Sequence, residues 1–114
     1  MRKVDIKYTL LLDYYGALLP KKQYDIASLY YYDDLSLSEI SEDLGITRQG
    51  VRDGLARAEA SLTGYDEALG LMEKDRVIKD AVQRIKNAAR DIEGADEEKL
   101  RIIFEACDTV FLKG

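Results

Sequence analysis

Apolar residues between positions 35 and 62 recur at helical spacing in two segments that a glycine separates. The apolar positions of the first segment are Leu37, Ile40 and Leu44. Intervals of three and four residues place them on one face of a helix. Ser36 precedes this face, and Glu39 three residues later completes the spacing of a capping box, a common helix start. We therefore predict a short helix that begins after Ser36.

A turn and a second helix follow directly. Gly45 stands where the chain must turn sharply, and glycine adopts the left-handed backbone conformation of such a turn most easily. Thr47 has a side chain suited to cap the next helix, and we expect this helix to end at Gly64. Its inward positions are Val51, Leu55, Ala58 and Leu62. Two helices joined by a tight glycine-containing turn form a helix-turn-helix, so we predict this motif.

The rest of the chain also shows helical patterns and no strand pattern. Further helices are predicted over about residues 4–19, 21–32 and 66–92 and from Asp96 towards the C-terminus. The fold class is therefore all-α: a helical bundle containing the helix-turn-helix, with a long helix and a final helix C-terminal to it. We expect a single domain over residues 1–114. Residues 1–64 would hold the N-terminal helices and the motif, and residues 65–114 a C-terminal helical extension.

Composition excludes several kinds of site and location. No apolar stretch approaches the ~20 residues of a membrane span, and charged residues interrupt the apolar N-terminal segment, so neither a membrane helix nor a signal peptide is expected. The chain has no histidine and one cysteine, Cys107, which we expect to be a buried thiol. No carboxylate pairs with a nucleophile, a phosphate-binding loop or metal-ligand spacing. We therefore expect a cytoplasmic protein that is not an enzyme and holds neither cofactor nor metal.

The net charge of −5 and its distribution indicate which kinds of molecule the protein can bind. Five acidic residues and no basic residue lie within positions 33–43: Asp33, Asp34, Glu39, Glu42 and Asp43. This acidic patch suits a basic protein partner better than a phosphate backbone, although a solvated face without a partner stays open. The second motif helix carries three arginines, fewer than the roughly six to ten phosphate contacts of a tight DNA-binding protein. Tight DNA binding would therefore require a dimer.

The N-terminal half of the second motif helix supplies the candidate nucleic-acid contacts, because this end of a recognition helix reaches base edges. The candidate residues are Thr47, Arg48, Gln49, Arg52, Asp53 and Arg57. Gln49 can bond adenine, and the arginines can bond guanine or a phosphate. Asp53 could accept a hydrogen bond from cytosine, but it repels phosphate. Gly50 and Gly54, one turn apart, permit close approach of a nucleic-acid strand or a helix, or else pack against the chain's own first helix.

Several runs within about residues 4–64 form a specific combination: DYYGALL, KQ, LYY, DLSLSEIS and GITRQ. With these runs the chain resembles the YlxM family, small bacterial proteins whose helix-turn-helix is similar to the promoter-reading fourth region of sigma factors. The resemblance implies an all-helical cytoplasmic DNA-binding protein linked to the signal recognition particle pathway. The nucleic-acid contacts it implies are Thr47, Arg48, Gln49 and Arg52. Gly50, Arg52 and Gly54 depart from the residues usual in the family.

Two functions are compatible with these residues. The first is a helix-turn-helix DNA-binding regulatory protein, associated through the resemblance with the signal recognition particle pathway. The alternative is an interaction module that does not bind DNA and contacts the RNA or the GTPase of the signal recognition particle. The apolar stripe from Leu100 to Leu112 could pack on residues 4–32 or form a two-fold interface between copies. We expect a homodimer.

Overall fold

The computed structural model describes residues 5–113, and its secondary structure is helical. The elements are α1 (Ile6–Tyr15), a 3₁₀ turn (Gly16–Leu18), α2 (Lys21–Tyr31), α3 (Leu37–Leu44), α4 (Arg48–Leu69), α5 (Leu71–Arg90) and α6 (Glu97–Lys113). No β-strand occurs within residues 5–113, so the all-α fold class is confirmed. None of the described helices is long and apolar enough to cross a membrane. The regular part of the first predicted helix ends at Tyr15, and its predicted start at Val4 lies outside the described residues.

The helices group into two compact units, and the chain passes from one to the other between Gly70 and Leu71. The first unit contains α1 to α4, and the second contains α5 and α6. The expected single domain, divided between residues 64 and 65, stays a prediction.

Helix α4 continues past Gly64, so the prediction that Gly64 ends it is wrong, as is the predicted start of the next helix at Asp66. A glycine inside a helix costs about 1 kcal/mol relative to alanine, which tertiary contacts of the same helix can offset. The hydroxyl of Tyr15 in α1 donates a hydrogen bond to Asp66 Oδ1 at 2.7 Å and so holds the last turns of α4. The helix ends at Gly70, whose φ of +61° is left-handed and whose N–H bonds the carbonyl of Asp66.

The core of the first unit is built from an apolar face of each of its helices. The side chains at most 2% exposed include Leu11, Leu12, Tyr15, Ile26, Ala27, Ile40, Val51, Ala58 and Leu62. The four inward positions predicted for α4 are all buried, and α3 contributes Ile40. Because α3 and α4 share this core with α1 and α2, side-chain packing as well as the turn sets the angle between the two motif helices.

A buried tyrosine joins α2 to α4. The hydroxyl of Tyr31 donates a hydrogen bond to Glu59 Oε2. Burial raises the pKa of this hydroxyl well above its usual range, and the bond to Glu59 raises it further, because ionisation would place two anions side by side. The phenol therefore stays protonated and remains a hydrogen-bond donor in the folded protein.

The second unit is a hairpin of α5 and α6 with few buried side chains. Ala89 and Cys107 are buried, and Lys86 Nζ lies 2.7 Å from Asp108 Oδ1. The predicted buried thiol at Cys107 is confirmed. Large apolar side chains remain exposed along α5 and just after it: Leu71, Val77, Ile78, Ile85 and Ile92. The unit therefore presents an apolar surface that its own two helices do not cover.

Candidate nucleic-acid interface

The first helix of the motif begins and ends as the sequence predicts. Ser36 Oγ accepts a hydrogen bond from the backbone N–H of Glu39 at 3.1 Å, and Glu39 Oε1 accepts one from the N–H of Ser36 at 3.0 Å. The capping box is therefore complete. Gly45 ends α3 with a φ of +68°, and its N–H bonds the carbonyl of Ser41. A residue with a Cβ atom would be strained in this conformation, so the predicted glycine turn is confirmed.

The turn also positions the start of α4. Ser41 Oγ donates a hydrogen bond to the carbonyl of Ile46, and the N–H of Ile46 bonds the carbonyl of Ser41 at 3.1 Å. Thr47 Oγ1 accepts a hydrogen bond from the backbone N–H of Gly50 at 2.9 Å, so Thr47 is the N-cap that the sequence predicts. These bonds hold the first turn of α4 against α3, and a surface that recognises a rigid ligand requires such fixed support.

The candidate contact residues all lie at the start or on the exposed side of α4. They are Thr47, Arg48, Gln49, Arg52, Asp53 and Arg57. The buried positions occupy the opposite side, so the helix separates an apolar face from a polar one. Gln49 Nε2 donates a hydrogen bond to Asp53 Oδ1 at 2.8 Å. This bond uses one amide proton, and Gln49 keeps its second N–H and its amide oxygen for a base edge.

Within the described residues, the arginines of α4 differ from several other basic residues in having no carboxylate partner. Arg48, Arg52 and Arg57 form no ion pair within residues 5–113. By contrast, Arg76 and Arg101 bond to acidic residues one turn away on their own helices. A guanidinium without a partner can bind a phosphate without first breaking an ion pair. The exposed side of α4 is therefore a surface to which an anion can bind directly.

The acidic patch lies on α3 and in the connection before it. Glu39, Glu42 and Asp43 are exposed on the helix, and Glu42 and Asp43 have no basic partner in the part of the chain that the structure describes. Among the described residues, no group of three His, Cys, Asp or Glu side chains is arranged to hold a metal ion. The first helix of a helix-turn-helix crosses the DNA backbone, so this acidity opposes close approach of α3 to phosphates.

A cavity of about 320 Å³ lies between the start of α2 and the exposed side of α4. Its lining includes Lys22, Gln23, Gly50, Asp53, Gly54 and Arg57. A Cβ atom on Gly54 would lie 2.5 Å from Ile26 Cδ1, so α2 packs closely against α4 at this glycine. The suggestion that the glycines pack against the first helix is therefore wrong for Gly54, because its neighbour belongs to α2. We refer to the cavity between these two helices as the α2–α4 cavity.

Lys22 and Gln23 were not among the site residues that sequence reasoning selected. Their signal in the sequence is a proline followed by KKQ, which marks a helix start that carries basic residues. That signal does not show that the start of α2 lies beside the polar face of α4, because the two segments are about thirty residues apart in the chain. Tertiary packing brings them together.

The fold and this surface together define a helix-turn-helix protein. Residues 3–102 match the model of a family named UPF0122 and described as "Putative helix-turn-helix protein, YlxM / p13 like". The chain therefore belongs to the YlxM / p13-like family, and the resemblance found in the sequence is confirmed.

Relatives in several bacteria show how far the similarity extends. A UPF0122 protein of Thermoanaerobacter pseudethanolicus is 48% identical over 99 residues, which cover 85% of each chain. One of Caldanaerobacter subterraneus is 54% identical over 78 residues, 68% of this chain and 67% of the relative. One of Halalkalibacterium halodurans is 38% identical over 105 residues, 92% of this chain and 94% of the relative. The similarity therefore reaches beyond the helix-turn-helix into the C-terminal helices.

Proposed function

We propose that the protein is a DNA-binding regulatory protein that uses α4 as its recognition helix. The observation that carries this proposal is the exposed side of α4, where three arginines lack ion-pair partners within the described residues and Gln49 can bond a base edge. An α-helix fits the major groove of B-DNA, which is about 12 Å wide. Such a protein acts by binding rather than by catalysis, in the cytoplasm and in association with the signal recognition particle pathway that the family resemblance implies.

Crosslinking in cells, followed by sequencing of the attached nucleic acid, tests the proposed function. We expect double-stranded DNA sites that share a short common sequence, because each good base-edge contact discriminates by about 1–3 kcal/mol. The Gln49→Ala variant is the comparison, and its sites should lose a preference for one base pair while the recovery of DNA stays similar. Recovery of RNA alone, or of no nucleic acid, would contradict the proposal.

The acidic patch favours a second candidate function. An interaction module of the signal recognition particle pathway would use Glu42 and Asp43 to bind a basic surface of the GTPase, since complementary charge speeds encounter and selects partners. The particle's RNA is a weaker match for this patch, because its phosphates carry the same sign of charge, and it would have to bind at α4 instead. In the crosslinking experiment, recovery of that RNA without DNA would favour contact with the particle over DNA binding, made through α4 and not through the acidic patch.

We further propose that the protein is a homodimer formed through the second unit. Leu71, Ile78 and Ile85 follow one another in α5 at intervals of seven residues, and all are exposed, as is Ile92 just after the helix. A seven-residue apolar repeat is typical of the seam between two packed helices. Units of about 40 residues seldom bury enough apolar surface without a partner. A second copy supplies the same seam, as a two-fold interface requires, and it doubles the number of arginines available to DNA.

The Ile85→Glu variant is expected to be a monomer, because a glutamate in the seam would lose its hydration without gaining a partner. Ile102→Glu is the matched control, since Ile85 and Ile102 are each 54% exposed and Ile102 lies outside the repeat. Light scattering at two concentrations should give twice the chain mass of 12.9 kDa for the wild type and the control. A wild-type protein that stays at the chain mass at the higher concentration would contradict the dimer.

A further inference from the structure

We infer that the α2–α4 cavity binds a phosphodiester group of the nucleic-acid backbone. The inference rests on the proposed DNA binding and adds to it a contact made by α2, outside the recognition helix. Phosphate contacts of this kind fix the register and orientation of a protein on a duplex, while base contacts give sequence preference. The cavity lies beside the face of α4 that carries Gln49 and Asp53, where a strand bound to that face would pass.

Two cations from different helices meet at this cavity. Lys22 comes from α2 and Arg57 from α4, and neither has an ion-pair partner among the described residues. The adjacent Lys21 differs, because its Nζ lies 2.8 Å from Asp25 Oδ2. Because both cationic side chains line one cavity, a bound phosphate would be attracted by both of them.

Gly50 and Gly54 line this cavity, which is large enough for the group. The cavity volume of about 320 Å³ is roughly ten times the ~30 Å³ share of one water molecule in the liquid, so it holds a phosphate together with some water. Each glycine inside α4 costs about 1 kcal/mol relative to alanine, and a Cβ atom at position 54 would already press on Ile26. The absence of a side chain at position 54 therefore allows the close packing of α2 on α4 that brings Lys22 and Arg57 to one cavity.

Neutral donors at the same place complete the cavity. Gln23 lines the cavity, and its amide carries an acceptor, Oε1, and a donor, Nε2. Its Nε2 can donate to a phosphate oxygen. The cap of α2 is Pro20, which has no side-chain hydrogen bond to the first turn, so backbone N–H groups at the start of α2 remain as further donors. These groups add to the site that the two cations define.

Asp53 limits the strength of the site. It is the acidic side chain of the lining, and its Oδ1 accepts the hydrogen bond from Gln49. The charges of Lys22, Arg57 and Asp53 therefore leave the cavity with one net positive charge. A site of this charge holds a phosphate by an exchangeable contact, which suits a protein that must slide along DNA before it stops at its site.

The Lys22→Ala variant tests the inference. Lys21→Ala is the matched control, because it removes the same charge from the preceding residue. The probe is a labelled random-sequence DNA duplex of about 30 base pairs, roughly three helical turns, titrated with protein by fluorescence anisotropy over a salt series. Lys22→Ala should weaken binding by about three- to tenfold and lower the slope of log K against log salt by about 0.9. Lys21→Ala should leave the slope unchanged.

The outcomes separate this inference from the proposed function. If the wild type binds the duplex and Lys22→Ala binds it with the same slope, the cavity is not a phosphate site, although DNA binding stands. If both lysine variants lose the same slope, the effect comes from overall charge, and the assignment to the cavity is overturned. If the wild type binds no duplex at the lowest salt, the proposed function and the inference both fail. Circular dichroism confirms that each variant keeps its helix content.

Discussion

Replacing Arg48 and Arg52 together by glutamate is expected to abolish DNA binding while leaving the fold intact. Both side chains are exposed in the first turns of α4 and have no ion pair to lose within the described residues. Each lost phosphate contact lowers the slope of log K against log salt by about 0.9, and the new carboxylates repel the backbone. The affinity for a duplex should therefore fall by about 100-fold or more at ~0.1 M salt, as measured by fluorescence anisotropy.

A charge-matched variant shows whether this loss is local. Arg84 in α5 and Lys99 in α6 are also exposed and lie outside the first unit. Their joint replacement by glutamate changes the net charge by the same amount. This control should reduce affinity much less, because charges that do not contact the duplex act through a screened potential. An equal loss in the two variants would mean that net charge, and not contact by α4, governs binding.

Replacing Ile40 by alanine is expected to lower the free energy of unfolding by about 2–5 kcal/mol. Ile40 is 0% exposed, so the substitution removes apolar contacts and leaves a cavity. Helix α3 has eight residues, too few to stay helical without tertiary packing. Urea unfolding followed by circular dichroism measures the change, and the variant should also lose DNA affinity because the support for α4 is weakened.

Ile6→Ala is the control for this prediction, since Ile6 is 69% exposed and undergoes the same chemical change. Its free energy of unfolding should differ from that of the wild type by no more than about 0.5 kcal/mol. If Ile40→Ala proves as mild as Ile6→Ala, the side chain of Ile40 does not anchor α3 as the structure indicates.

The helix-turn-helix could be read from the sequence because its signals are local. The capping box of Ser36 and Glu39, the left-handed Gly45 and the cap at Thr47 each act over about three residues, and each occurs as predicted. The end of α4 could not be read in this way. Gly64 has the sequence signal of a helix end, yet the helix passes it, and beyond it Asp66 accepts a hydrogen bond from Tyr15 of α1.

For the candidate site too, the sequence predicts some features and not others. The exposure of Arg48, Gln49 and Arg52 follows from the helical period once the apolar face of α4 is known. Their lack of ion-pair partners could not be predicted from the sequence, because it depends on where the carboxylates of the described chain lie in the tertiary structure. The placement of Lys22 and Arg57 at one cavity also depends on tertiary structure, since it requires the packing of α2 against Gly54.

The amino-acid pattern alone was sufficient to establish an all-helical chain, a helix-turn-helix between Ser36 and the long α4, and the polar face of that helix. These features depend on hydrogen bonds and side-chain spacing within a few residues, which a linear pattern records. The length of α4, the cavity beside it and the exposed seven-residue repeat of the second unit were decided by tertiary structure. They depend on contacts between segments far apart in the chain, or on the lack of such contacts, and those are determined by packing.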